Sequence, residues 1–167
     1  METEKKMHDG NLFFKHQYQT IDIEHAIGYM DSFEKFEQFY TDDLMDGNVL
    51  LRDYLYEVLE RHGEKADHVS TEIGYSHDYV RKLVTGERKN PDREVILAIC
   101  IYIHATVEET QNLLRYAGLQ PLYARRKRDA IIWYALRTKK SLIDLNFYLD
   151  ERGYTLIGKK EGKKKDK

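Results

Sequence analysis

The sequence predicts an all-α fold, and three observations carry that expectation. Apolar residues recur at three- and four-residue spacing along most of the chain, only Pro91 and Pro121 interrupt it, and capping residues or glycines fall at helix-length intervals. Strands are left little room. At 167 residues the chain is expected to hold one domain with appendages. Its residues are 41% hydrophobic and 34% charged, which provides a core inside a charged shell and excludes wholesale disorder.

The elements follow in order. The first 17 or so residues are polar and aperiodic and are expected to be disordered. A helical piece near 22–30 precedes a helix over 32–45, capped by Ser32, with Phe33, Phe36, Phe39 and Tyr40 on one face. Asp46, Gly47 and Asn48 predict a break. An amphipathic helix over 49–62 then turns Leu51, Leu55, Val58 and Leu59 inward and stops at Gly63. Two short helices come next, one over 65–73 ending at Gly74, the other capped by Ser76 and ending before Gly86. Asn90-Pro91-Asp92 opens a longer helix to about 104. Thr106 with Glu109 forms a capping box for a helix carrying Val107, Leu113, Leu114 and Ala117 and stopping at Gly118. Beyond the turn at Pro121, residues 129–137 and a Ser141-capped helix ending at Gly153 make a helical hairpin. Its Trp133, Tyr134, Phe147 and Tyr148 are expected in the core, with a dimer face as the alternative.

Four parts result: an acidic N-terminal arm (1–47), a five-helix centre (48–118), the hairpin (119–157) and a basic, disordered tail (158–167). The net charge of −2 hides a polarity along the chain. Residues 1–47 hold 4 basic against 11 acidic side chains, whereas residues 119–167 hold 14 against 6. Such asymmetry points to an acidic partner such as nucleic acid, or to an arm folding onto the tail. No run approaches the roughly 20 apolar residues of a membrane span, and the N-terminus lacks the apolar stretch of a signal peptide, so a cytoplasmic protein without membrane contact is expected. Cys100, the single cysteine, lies in the run VILAICIYI and reads as a small buried hydrophobe.

The segment from Glu64 to Asp92 is the most informative. Two helices of two to three turns are joined by Gly74-Tyr75-Ser76, where glycine takes a left-handed conformation and serine caps the second helix. Val69, Ile73, Val80 and Leu83 supply the apolar contacts of the crossing. His77, Asp78, Arg81 and Lys82 are left outward. The shape is that of a helix-turn-helix.

The residues Ile73-Gly74-Tyr75-Ser76, Tyr79-Val80-Arg81-Lys82-Leu83, Gly86-Glu87-Arg88-Lys89-Asn90-Pro91 and Thr106-Val107-Glu108-Glu109-Thr110 together resemble the phage-repressor-like (Xre-type) helix-turn-helix family of bacterial DNA-binding proteins. The runs from Glu109 to Gly118, Pro121-Leu122-Tyr123, Arg126, Arg128-Asp129-Ala130, Tyr134-Ala135-Leu136 and Ser141 to Gly153 extend the likeness to a subgroup with a C-terminal helical hairpin and a short N-terminal helix, over roughly 32–157. The resemblance implies a five-helix phage-repressor-like helix-turn-helix core and a sequence-specific transcriptional regulator, acting on double-stranded DNA as a homodimer without a cofactor or metal. It implies that the second motif helix enters the major groove. Ser76, His77, Asp78, Arg81 and Lys82 then face the bases. Lys65, Tyr79, Arg88 and Lys89 serve the phosphate backbone, with Arg93 a weaker member.

Chemistry fits those roles. A guanidinium at Arg81 can donate twice to guanine O6 and N7, Asp78 can accept from cytosine N4, and the remaining cations neutralise phosphates and release counterions. The sequence departs from the family where many members open the first motif helix with Ser-Gln or Thr-Gln; this chain has Lys65-Ala66, so one backbone clamp is absent or replaced by Lys65. For Arg125-Arg126-Lys127-Arg128 the favoured expectation is a solvated turn whose charges suit the C-terminus of the preceding helix, or the acidic arm. Histidines at 8, 16, 25, 62, 68, 77 and 104 show no metal-site spacing, and no phosphate-binding glycine motif occurs, so catalysis is not expected. The alternative function is an interaction adaptor, in which the acidic arm and its aromatic stripe dock a protein and the helix-turn-helix is scaffold.

Overall fold

The computed structural model describes residues 20–40 and 47–158, and the side chains of 24–35, 37, 38 and 50–158. All regular structure among the described residues is helical. No helix among them is long and apolar enough to cross a membrane. The expected disorder of residues 1–17 and of 159–167, the end of the helix over 41–45 and the break at Asp46 lie outside the described residues, as do the side chains of Phe36, Phe39 and Tyr40.

The chain divides into two units after Asp46. The first contains α1 (Thr20–Ile27) and α2 (Phe33–Tyr40). Ser32 caps α2 as the sequence predicts, its hydroxyl accepting the Lys35 N–H at 3.3 Å. Phe33 is exposed.

The second unit holds α3 (Gly47–Arg61), α4 (Ala66–Glu72), α5 (Tyr79–Thr85), α6 (Arg93–Tyr102), α7 (Val107–Tyr116), α8 (Lys127–Arg137) and α9 (Leu142–Glu151). One expectation fails at its start: Gly47 and Asn48 form the first turn of α3 instead of a break. A helix start tolerates them because the first N–H groups of a helix lack intrahelical partners in any case. The centre of the unit is α6. Val95 to Ile101 are each at most 1% exposed, as an all-apolar helix requires, and α4, α7, α8 and α9 all pack against it. α3 lies against α5 and α7, burying Leu51, Leu55, Val58 and Leu59.

Buried polar groups join the helices at defined points. Thr106 and Glu109 form the expected capping box, with bonds of 3.1 and 2.9 Å, and the same Glu109 carboxylate takes Arg61 and His62 of the α3 end at 2.8 Å each. Burial works to raise the Glu109 carboxyl, but the Thr106 N–H, His62 and Arg61 outweigh it and hold the group below the ordinary value of 4.5. At the start of α6, Arg93 donates to both Asp129 oxygens at 3.1 Å, and Arg128 grips Glu94 at 2.8 and 3.1 Å. Two adjacent residues of one helix start are thereby crossed with two of another. Gln111 exchanges bonds of 2.7 and 2.9 Å with the Leu122 backbone, and Asn146 does the same with Ile157, pinning the two irregular segments.

The hairpin corrects one expectation and refines another. Tyr134, Phe147 and Tyr148 are exposed, and Trp133 is only half-buried; the core positions are Ile132, Ala135, Leu136, Leu145 and Leu149. Two short helices have room to bury one stripe each, and the smaller aliphatic stripe faces α6. The basic run Arg125 to Arg128 lies at the N-terminal end of α8, with Arg125, Arg126 and Lys127 exposed as expected of a solvated turn. Arg126 reaches the Gln120 side chain at 2.7 Å, and Arg128 also donates to the Thr155 carbonyl at 2.8 Å, so half of the run is structural.

Candidate nucleic-acid interface

The α4–α5 pair is built by its turn. α4 ends in a Schellman motif: the Gly74 N–H bonds the Thr71 carbonyl at 3.0 Å and the Tyr75 N–H bonds the Ser70 carbonyl at 2.9 Å. That path needs positive φ at Gly74, which has +80°. Val69, Ile73, Val80 and Leu83 are all buried, as expected.

Ser76 does not cap α5. The helix starts at Tyr79 with Asp78 in the N-cap position, and neither supplies a side-chain cap; Ser76 instead closes a tight turn through its carbonyl, which accepts the Tyr79 N–H at 2.9 Å. The cap comes from the other helix. The Ser70 hydroxyl, fully buried, donates to the Ala66 carbonyl at 2.9 Å and accepts the Val80 N–H at 2.8 Å. One side chain thus satisfies the first turn of α5 and fixes its angle to α4. Sequence reasoning missed it; the available signal was a serine beside Val69 on the inward face of a short helix.

Of the five residues expected to face bases, Ser76, His77 and Asp78 lie in the turn that precedes α5, and Arg81 and Lys82 lie on α5 itself. His77 and Arg81 are exposed, with 76% and 47% of their side-chain surfaces open. Lys82 pairs with Asp78. Its ammonium, helped by the Ser76 hydroxyl, holds the Asp78 carboxyl below the ordinary range. Arg81 donates from Nε to Asp67 Oδ1 at 3.3 Å, and His77 Nε2 lies 3.8 Å from Asp67 Oδ2. Asp67, on α4, was absent from the expected set.

The expected backbone contacts divide. The Tyr79 ring meets Tyr75 at 4.8 Å between centroids with a tilt of 48°, and the Arg88 guanidinium sits 4.4 Å over the Tyr79 ring. Gly86 has φ +79° and lets the chain turn so that the Arg88 N–H reaches the Lys82 carbonyl at 2.9 Å. Lys89 and Lys65 are exposed, and Lys65 occupies the N-cap position of α4 without a side-chain cap. Arg93 leaves the group: it folds back onto Gln120, Pro121 and Asp129 and keeps only 22% of its side chain exposed.

The arrangement offers a hydrogen-bonding edge. A guanidinium, an imidazole and an ammonium project from one turn and the helix after it, flanked by Arg88 and Lys89. Burial pushes the Cys100 thiol up to about 12, which keeps it protonated and inert. The adaptor expectation rests on residues 1–47, of which 1–19 and 41–46 lie outside the described residues. Comparison with protein-family models, with curated proteins and with solved structures finds no match to this chain.

Proposed function

We propose that the chain is a sequence-specific DNA-binding transcriptional regulator, in which α3 to α7 form a five-helix core of the phage-repressor-like type and α5 enters the major groove. The observation that carries this reading is the outward, mainly basic edge of α5 and its preceding turn, held at a fixed angle by Gly74 and Ser70. Arg81, His77 and Lys82 reach base edges; Arg88, Lys89 and Lys65 meet phosphates. The acidic partners of the free protein have a cost and a use. DNA must displace Lys82 from Asp78, which weakens indiscriminate binding to phosphate.

Two such edges about one helical turn apart match a palindromic site, so the reading includes a symmetric dimer. Fluorescence anisotropy with genomic fragments is expected to show salt-dependent binding that the double variant Arg81→Ala, Lys82→Ala abolishes. Unchanged binding in that variant removes α5 as the reading element. Selection from a random duplex library reports the partner directly, and inverted half-sites among the selected sequences report the dimer.

A further inference from the structure

We infer that Asp67 is a positioning residue for Arg81, one that sets which base the helix accepts; this rests on the DNA-binding reading above. The argument starts from the donor inventory of arginine. A guanidinium has five N–H groups, one on Nε and two on each terminal nitrogen. Asp67 Oδ1 takes the Nε hydrogen at 3.3 Å, and among the described residues no other acceptor bonds Arg81. The two terminal nitrogens therefore remain available as a pair, which is the pair that matches O6 and N7 of guanine.

The tether also removes freedom before DNA arrives. An arginine side chain on a helix surface has many rotamers to lose on binding, and fixing it in advance lowers that loss. The same carboxylate lies 3.8 Å from His77 Nε2 through its second oxygen, and Thr71, one turn along α4, has its hydroxyl 3.4 Å from His77 Nδ1. Two base-facing side chains are thus braced by one face of α4. The Asp67 side chain is 38% exposed, so its charge is felt by an approaching phosphate. It guides the specific contact and penalises the unspecific one.

That double action gives a signature which loss of fold cannot mimic. Binding of the wild type, Asp67→Ala, Asp67→Asn and Arg81→Ala is measured on the library-selected duplex, on the same duplex with 7-deazaguanine at the Arg81-dependent position, and on a scrambled duplex. Arg81→Ala is expected to abolish the penalty for 7-deazaguanine, and Asp67→Ala to reduce it about tenfold. Scrambled-duplex affinity is expected to stay level or rise. Asp67→Asn, which keeps an acceptor but loses the charge, is expected to retain most of the discrimination while sharing the gain on scrambled DNA. In the free protein, the NMR signal of the Arg81 Nε–H is expected to be protected from exchange and to lose that protection in Asp67→Ala.

If Asp67→Ala discriminates as the wild type does, or loses specific and scrambled affinity equally, the positioning role is overturned while the DNA-binding reading stands. If the wild type enriches no sequence at all, both fall together.

Discussion

Asp129→Ala is expected to destabilise the protein by about 3–5 kcal/mol, the range for breaking a buried pair from one side. Asp129 is 4% exposed, takes both Arg93 bonds and also accepts the Tyr123 N–H at 3.0 Å. Removing it leaves a guanidinium that is largely withdrawn from water with only two backbone carbonyls to satisfy it. Asp129→Asn keeps one oxygen, which can still accept from Tyr123 and from Arg93 Nη2, and should lose about 1–2 kcal/mol. Urea unfolding checks both variants. A loss in Asp129→Ala no larger than that of a surface substitution would show that the crossed pairs at the starts of α6 and α8 do not hold the hairpin.

Glu109→Ala is expected to cost about 2–3 kcal/mol near neutral pH, because it orphans the Thr106 N–H and takes the capping partner from Arg61 and His62 together. The pH dependence has a definite sign. The folded-state value of Glu109 lies below its ordinary 4.5, so its contribution is complete above that pH. As pH falls through 4.5 and then through the lower folded-state value, the contribution is lost. Thermal unfolding of the wild type should therefore weaken in acid below about 4.5, and in Glu109→Gln this part of the slope should vanish while neutral stability is only partly reduced. An identical acid slope in wild type and Glu109→Gln would assign the acid loss to other carboxylates.

Most of the helix pattern was legible because its signals are local. The Thr106–Glu109 box and the Ser32 and Ser141 caps join residues three apart, the glycine stops at 63, 74, 86, 118 and 153 act through bonds spanning at most six residues, and each of these glycines has positive φ. Where partners come from elsewhere in the chain, the sequence carries no such mark. Ser70 caps a helix ten residues away, Asp67 reaches Arg81 across 14, and Arg93 finds Asp129 across 36. The same reason explains Arg93: its charge and position suit a phosphate contact, and only the packing of α8 against α6 shows it folded inward. The hairpin aromatics were misplaced for a related cause, since helical periodicity locates two apolar stripes but does not say which one has a neighbour to meet. The candidate edge was legible in its residue types and not in its pairing.

Cys100 gives the folded chain a reporter of its own opening. It is the single sulfhydryl of the sequence, it has no exposed surface, and its proton is held too tightly for reaction in the closed state. An alkylating reagent can consume it only when the central helix comes apart from its surroundings, so the speed of labelling counts those excursions. A duplex that binds the closed form alone should slow the labelling in proportion to its occupancy, without any dye or tag on the surface it covers.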